Sequence, residues 1–190
     1  STNEGGGIFN GIDAILNVKN SSVHSNSKSG SYVYGGGIKN TRGIINLINS
    51  TVSSNEVLAT SFAYGGGISS ETGGSITLKN STVTGNIVTG NLSSIGGGVY
   101  VTHSKIMFFE NTIIANNTTA GTGPDCGGSA DKISLGYNII EDISDCTLML
   151  TASDLVSTSA RLASLEGSPG YHPLLFGSLA INGGNPAGCT

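Results

Sequence analysis

The chain has 190 residues, the size of one domain, and a net charge of −4 from 12 acidic and eight basic side chains. Gly, Ser, Thr and Asn make up about half of the residues, and because these are weak helix formers the composition argues against a helical protein. Charged residues amount to only 11%, and the Lys and Arg residues form no basic patch, which argues against intrinsic disorder and against nucleic acid as a partner.

Three short motifs recur in one register and define a repeat of about 30 residues. The first is a glycine triplet followed by an apolar residue, which is Ile8, Ile38, Ile68 and Val99 in the four copies. The second is an Asn-Ser/Thr pair that leads into Val or Ile and begins at Asn20, Asn49, Asn80 and Asn111. The third is a further asparagine, at Asn26, Asn55, Asn86 and Asn117. Three anchors that keep one register over four copies indicate a repeat array.

Apolar residues alternate with polar ones around each anchor, and a period of two predicts strands. Each repeat offers three such short segments, which together suit one coil of a solenoid. Successive coils would stack ~4.8 Å apart, with each strand pairing in parallel with its copy in the next coil. We therefore predict an all-β protein, a parallel β-helix with coils of about 30 residues, and the crossover rule for parallel strands predicts that it is right-handed.

The register assigns a place to each anchor. Ile8, Ile38, Ile68 and Val99 are expected to form one inward column, and Asn20, Asn49, Asn80 and Asn111 a buried ladder of bonded amides at a turn. The competing reading of the asparagines at 20, 49 and 80 is N-glycosylation, because each lies in Asn-x-Ser/Thr. Asn26, Asn55, Asn86 and Asn117 are candidates for a second ladder. The segments at 27–34, 56–64 and 87–95 vary in length and are predicted to be loops, with Tyr34 and Tyr64 packing over the bend.

The clean period ends at Asn117, so residues 1–117 are predicted to form four coils and 118–190 an irregular continuation or cap of the same solenoid. The chain opens in the middle of a repeat and has the look of a piece of a longer protein; it holds no apolar run long enough for a transmembrane helix. Cys126 and Cys146 have neither a CxxC partner nor a nearby His, which favours a disulfide over a metal or redox site. A disulfide indicates an oxidising, extracellular setting.

Residues 5–117 resemble the right-handed parallel β-helix repeats of bacterial surface proteins, including the polymorphic outer-membrane protein type. Residues 111–189 resemble the choice-of-anchor Q segment that follows such repeats. The motifs that carry this second resemblance are Asp125-Cys126, Leu135-Gly136-Tyr137-Asn138-Ile139-Ile140, Cys146, Gly167-Ser168-Pro169, His172-Pro173-Leu174-Leu175 and Ala180 to Cys189. The chain departs from the family at Asn182, where an Asp is frequent. The resemblance implies an exported, cell-surface protein and, with the lack of metal-ligand spacing, a Cys126–Cys146 disulfide that leaves Cys189 unpaired within this chain.

Parallel β-helices also carry polysaccharide lyases and glycosidases, which need clustered carboxylates on one outer face. The outward positions beside the apolar columns hold no acid, and the three His residues lack the setting of a nucleophile. We therefore predict no catalytic residue, no metal and no cofactor. An ice-binding solenoid is a further alternative because outward Ser and Thr align in rows; these rows include Ser22, Thr51 and Thr82, and also Ser53 and Thr84.

The expected function is that of a non-enzymatic structural or adhesive module of a secreted or cell-surface bacterial protein. Its expected partners are other cell-surface or matrix components, glycans or further copies of itself. The alternatives that stay open are a carbohydrate-active β-helix enzyme and an ice-binding solenoid.

Overall fold

A computed structural model describes residues 5–103 and 106–188, so the prediction about Cys189 lies outside the described residues. All regular secondary structure in these ranges is β, as the sequence predicts. No helix in the described part of the chain is long and apolar enough to span a membrane.

The strands follow one another in coils. The first coil contains β1 (Ile8–Asn10), β2 (Ile15–Lys19), β3 (Ser22–His24) and β4 (Ser27–Tyr34). The second contains β5 (Ile38–Thr41), β6 (Ile44–Ile48), β7 (Thr51–Ser53) and β8 (Glu56–Tyr64). The third contains β9 (Ile68–Glu71), β10 (Ser75–Lys79), β11 (Thr82–Thr84), β12 (Ile87–Gly90) and β13 (Ser93–Ile95). The fourth contains β14 (Val99–Val101), β15 (Met107–Glu110), β16 (Ile113–Ala115) and β17 (Thr118–Thr119). Shorter strands complete the rest: β18 (Cys126–Gly127), β19 (Lys132–Gly136), β20 (Ile139–Ile140), β21 (Leu148–Met149) and β22 (Leu155–Val156).

Three parallel sheets form the walls of the solenoid. Sheet 1 has the order β1-β5-β9-β14-β18, sheet 2 the order β2-β6-β10-β15-β19-β21, and sheet 3 the order β3-β7-β11-β16-β20-β22. Every strand therefore pairs with its copy one coil away, which is the pairing expected of a parallel β-solenoid. The predicted inward column is in register, because Ile8 faces Ile38, Ile38 faces Ile68 and Ile68 faces Val99.

The core is a single run of stacked apolar side chains. It takes one column from sheet 1, two from sheet 2 and one from sheet 3, and its fully buried members include Ile38, Ile45, Leu47 and Val52. Cys126 extends the sheet 1 column beyond Val99. Because each column repeats apolar residues, each apolar side chain packs on a similar one in the next coil.

The segments predicted to be loops are instead strands, and this is a correction. Strands β4, β8, β12, β13 and β17 pair in parallel and form a fourth sheet, which we call the flange. The flange has its own small buried cluster, formed by Val33, Val57, Ala59, Ala63 and Val88. The glycine triplets then carry the chain from the flange into sheet 1. A Cβ at Gly36 would lie only 2.4 Å from the carbonyl oxygen of Gly66 in the next coil, so only glycine fits there.

The C-terminal part does more than continue the solenoid. Strands β18–β22 extend the three sheets as far as Val156. Residues 157–188 then turn back over the outer face of sheet 3, where Ala160 packs with Ala115 and Ile139. Antiparallel bridges join Leu162 to Leu174 and Glu166 to Tyr171, so this segment forms a hairpin. We call residues 157–188 the return hairpin. Its turn reaches the first coil, where the backbone N of Gly170 donates to Ser22 Oγ at 3.1 Å.

Candidate binding surfaces

A column of asparagine amides stabilises the corner that follows sheet 3. Nδ2 of Asn26 donates to Oδ1 of Asn55 at 2.8 Å, and the same bond joins Asn55 to Asn86 and Asn86 to Asn117, each at 2.9 Å. Asn55 and Asn86 are completely buried. The column ends at Asp125, whose Oδ1 accepts from Nδ2 of Asn117 at 2.8 Å. The amide ladder therefore lies at the positions that the sequence offers as the second candidate.

The ladder predicted at Asn20, Asn49, Asn80 and Asn111 is wrong. All four residues adopt left-handed backbone conformations, with φ between 47° and 50°, at the corner between sheets 2 and 3. A ladder would bond Oδ1 of Asn80 to Nδ2 of Asn111, yet both atoms are buried without a partner. Asparagine recurs here because it tolerates this conformation better than other residues with a side chain, a reason that periodicity alone does not distinguish from amide pairing.

The residue that follows the left-handed asparagine in each coil makes the polar contacts of this corner. Ser50 Oγ donates to the carbonyl oxygens of Ile48 at 2.8 Å and Val18 at 3.2 Å. In later coils Thr112 and then Asn138 occupy the position equivalent to Ser50. Oδ1 of Asn138 accepts from the backbone N of Thr112 at 2.9 Å. At the remaining corner, between sheets 1 and 2, Nδ2 of Asn10 donates to Oδ1 of Asn40 at 2.8 Å. Every corner of the solenoid thus carries bonded polar side chains.

Two acidic residues end these columns, and their pKa values are shifted in opposite directions. Burial raises the pKa of Asp125 to about 6, although its bonds to Asn117 and to the backbone N of Asp142 favour the carboxylate. Asp154 accepts from Asn138 and Thr151; although its burial acts to raise the pKa, these and other hydrogen bonds hold it below the usual range. Both carboxyl groups therefore serve structural bonds.

A lysine occupies an inward position of the fifth coil. Lys132 follows Met107 in register and is completely buried, and its Nζ donates to the carbonyl oxygens of Gly128 and Ala130, each at 3.0 Å. Burial lowers the pKa of Lys132 to about 8. Sequence reasoning missed this placement, because the clean period ends at Asn117 and no repeat assigns Lys132 to a column.

The predicted disulfide between Cys126 and Cys146 is confirmed. The two Cα atoms are 5.3 Å apart, within the usual range for a disulfide. Cys126 lies in the sheet 1 column of the core, so the bond ties the turn before β21 to the interior.

Aromatic rings stack where the flange meets sheet 1. The centroids of Tyr34 and Tyr64 are 4.9 Å apart, and those of Tyr64 and Tyr100 are 4.7 Å apart. Nζ of Lys39 lies 4.8 Å from the centroid of Tyr34 and 3.1 Å from an oxygen of Glu71. Burial, with the nearby Glu71 charge, raises the pKa of Tyr34 to about 12. Rings that stack on one another leave little face open to a ligand, so the row packs the flange against sheet 1.

The outward Ser and Thr rows of sheet 3 are largely removed from solvent, although Ser22 and Thr82 stay half-buried. Ser53, Thr84 and Thr51 are 0%, 2% and 6% exposed, since the return hairpin lies over this sheet. Ala160 of the hairpin packs against Ala115, and neither is exposed. The flat face that an ice-binding solenoid would use is therefore covered.

Two glutamates, Glu71 and Glu110, are paired with lysines. Besides the Lys39–Glu71 pair, Lys79 Nζ lies 3.5 Å from a carboxylate oxygen of Glu110. Among residues 5–103 and 106–188, no three His, Cys, Asp or Glu side chains lie close enough together to hold a metal ion.

The return hairpin presents an exposed apolar strip. Phe176 is 96% exposed, and its neighbours along the hairpin are about half exposed; we define the strip as Tyr171, Leu175, Phe176, Leu179 and Ile181. Sequence reasoning read His172-Pro173-Leu174-Leu175 only as a family motif and missed the strip. The signal was the run of three large apolar residues at 174–176, which falls outside the repeat.

Comparison of the chain with protein-family models, with curated proteins and with solved structures finds no match.

Proposed function

We propose that the chain is a structural and adhesive module of an exported protein. The solenoid supplies a stiff support, because every coil is bonded to the next through three sheets and three polar corners. The apolar strip supplies the contact surface. Its partners are other cell-surface or matrix components, glycans or further copies of the chain.

The observation that carries this proposal is the exposure of Phe176. A phenylalanine that is 96% exposed on a bonded hairpin leaves a large apolar surface in water. Contiguous exposed apolar patches of this kind mark interaction sites, and aromatic anchors contribute much of the energy of protein interfaces.

The buried disulfide supports an extracellular location. Disulfides persist in secreted and cell-surface proteins, whereas the reducing cytosol keeps thiols free. Because Cys126 lies in the core, the bond forms as part of the folded unit.

Beads coated with the purified chain test the proposal. Their attachment is measured on matrix proteins, on immobilised glycans and on surfaces coated with the chain itself. We expect attachment to at least one surface, and a loss of about tenfold for Phe176→Ser, as for a central interface aromatic.

Leu92→Ser is the matched control, since Leu92 is 70% exposed but lies in the flange, between β12 and β13, and is not part of the apolar strip. It should attach as the parent does. Attachment to none of the surfaces, or an equal loss for Leu92→Ser and Phe176→Ser, would overturn the proposal.

A further inference from the structure

A cavity of about 250 Å³ lies between sheet 3 and the return hairpin and opens partly to solvent. Its walls are largely apolar and include Ile113 and Leu155 from the sheet and Leu174 and Leu179 from the hairpin. None of the described residues that line it is an Asp, Glu, Lys or Arg. Because an apolar cavity of ~150 Å³ is large enough to hold benzene, this one has room for the ring of a phenylalanine.

Polar groups in the lining are largely occupied or sealed. Oγ of Ser81 donates to a backbone carbonyl oxygen at 2.8 Å, and Oγ of Ser153 accepts from the backbone N of Tyr137 at 3.1 Å. Oδ1 of Asn80 and Nδ2 of Asn111 lack partners but are buried, so neither atom is accessible from the cavity. An apolar group therefore suits this cavity better than a polar one.

The mouth of the cavity is continuous with the apolar strip. Leu179 belongs to both, and Leu174 of the cavity wall directly precedes Leu175 and Phe176 of the strip. One hairpin thus carries an uncovered ring, on the 96% exposed Phe176, beside a cavity that has room for a ring. A two-fold axis makes a surface complementary to itself, because whatever the first copy inserts into the second is also inserted the other way.

The charges of the return hairpin permit two copies to meet. No Asp, Glu, Lys or Arg occurs between Tyr171 and Gly188, and the hairpin holds one cation, Arg161, and one anion, Glu166. Nη1 of Arg161 donates to the carbonyl oxygen of Phe176 at 3.3 Å, and the hydroxyl of Tyr171 donates to Oε1 of Glu166 at 2.9 Å. The two charges cancel, so pairing through the strip buries no unpaired charge.

The area of the apolar strip also suits a pair of copies. At ~200 Å² for a large side chain, the exposed fractions of its five residues amount to on the order of 600 Å² of apolar surface. Because apolar atoms make up about 65% of a homodimer interface, this patch corresponds to roughly 900 Å² per partner. A standard stable interface buries ~800 Å² per partner, so the strip is large enough.

We propose that two copies of the chain pair about a two-fold axis at the return hairpin, with Phe176 of each copy entering the cavity of the other. Each inserted ring lies against Ile113 and Leu155 of sheet 3 and Leu174 of the hairpin, and the two apolar strips cover one another. This inference rests on the proposed function, because it names a second copy of the chain as the partner of the same strip.

Sedimentation velocity measures the dimer, in a Cys189→Ser background so that no disulfide joins two copies. Phe176→Ser removes the ring, and Gly184→Leu places a side chain at the cavity; a Cβ there would lie 3.7 Å from Oδ1 of Asn111, an ordinary contact, and φ is not left-handed. Because the two-fold axis makes each contact twice, each variant alone should weaken the dimer about a hundredfold, about tenfold per contact.

An equimolar mixture of the two variants is the decisive sample. The ring of the Gly184→Leu copy enters the open cavity of the Phe176→Ser copy, so one of the two contacts is restored. We expect this mixed dimer to be about tenfold tighter than either variant alone.

Leu92→Ser and Gly11→Leu are the matched controls, because both lie away from the hairpin and a Cβ at Gly11 would lie 3.6 Å from the ring of Phe9. Both should dimerise as the parent does. The pairing is overturned if the parent stays monomeric up to millimolar concentration, if the mixture is no tighter than the separate variants, or if the controls weaken the dimer equally. A monomeric chain whose beads attach to matrix or glycans through Phe176 would overturn this inference alone, whereas attachment to no surface overturns the proposed function as well.

Discussion

At the scale of single residues, the corners of the solenoid depend on polar side chains that are bonded on both sides. Asn86 shows the arrangement most fully, because Nδ2 donates to Asn117 and to the carbonyl oxygen of Val52, while Oδ1 accepts from the backbone N and Nδ2 of Asn55. An amide alone among small side chains offers two donors and an acceptor, so it can continue a column in both directions.

We predict that Asn86→Ala destabilises the fold by at least about 2 kcal/mol, because it removes hydrogen bonds made to buried groups of Asn55, Asn117 and Val52. Asn80→Gly should change the free energy of unfolding by less than about 0.5 kcal/mol, because glycine keeps the left-handed backbone and Oδ1 of Asn80 has no hydrogen bond to lose. Urea unfolding of both variants measures this. Equal destabilisation by the two substitutions would contradict the placement of the amide column.

The raised pKa of Asp125 makes stability depend on pH. The unfolded carboxyl group ionises near pH 4, whereas the folded one ionises near pH 6, so in this window only the folded form holds the proton. Its contribution to the free energy of unfolding is therefore greatest below pH 4 and falls by about 3 kcal/mol as the pH rises to 7. Relative to Asp125→Asn, the parent should lose this much between pH 4 and pH 7.

Chemical denaturation at the two pH values measures that difference, and a parent-minus-variant difference that is the same at both would contradict the burial argument. The opposite sign is expected for Asp154→Asn. Hydrogen bonds lower the pKa of Asp154 in the folded state, so its contribution is present at neutral pH and is lost as the pH falls through its folded pKa.

At this scale the sequence revealed the register but not the chemistry of every column. The anchor at Asn20 and the anchor at Asn26 repeat equally well, yet one is selected by a left-handed backbone and the other by paired amides. Periodicity reports that a position is constrained without reporting by what. Asp125, Asn138 and Asp154 could not be placed because they continue columns across coils of unequal length.

At the scale of elements, the strands were predictable because each apolar column alternates with polar neighbours over four copies. The flange was not, since its residues show no shared spacing and it is held by pairing with neighbouring coils and by small side chains such as Ala63. The return hairpin was missed for a related reason. Its only regular pairing is two antiparallel bridges, and its position depends on contacts with residues far away in the sequence.

We predict that Ala160→Asp releases the return hairpin while leaving the solenoid folded. Ala160 is completely buried against Ala115 and Ile139, and a carboxylate there would lie in apolar surroundings without a partner. Amide hydrogen exchange should become faster in residues 158–181 and stay slow in the core strands of sheet 2.

Ser164→Asp is the control, because Ser164 is exposed on the same hairpin. Its exchange rates should match those of the parent. If Ala160→Asp exchanges as slowly as Ser164→Asp, the hairpin is not held through this contact.

At the scale of the whole molecule, one architecture explains the surfaces described above. Because the hairpin folds back, it covers the Ser and Thr rows of sheet 3, encloses the cavity and presents Phe176 to solvent. A chain that instead continued stacking to its last residues would have none of these features. The return of the hairpin to the first coil therefore determines all three of these surfaces.

The most direct test measures two distances from one point by electron paramagnetic resonance, in a Cys189→Ser background so that only introduced thiols carry spin labels. One protein is labelled at His24→Cys and Ser168→Cys, the other at His24→Cys and Ser159→Cys; all three positions are exposed. Ser159 follows β22, five coil spacings or ~24 Å from the first coil, whereas Ser168 lies in the turn that contacts Ser22. If the hairpin returns to the first coil, the His24–Ser168 distance is shorter than the His24–Ser159 distance by about 10 Å. A His24–Ser168 distance longer than the His24–Ser159 distance would show that the hairpin does not return.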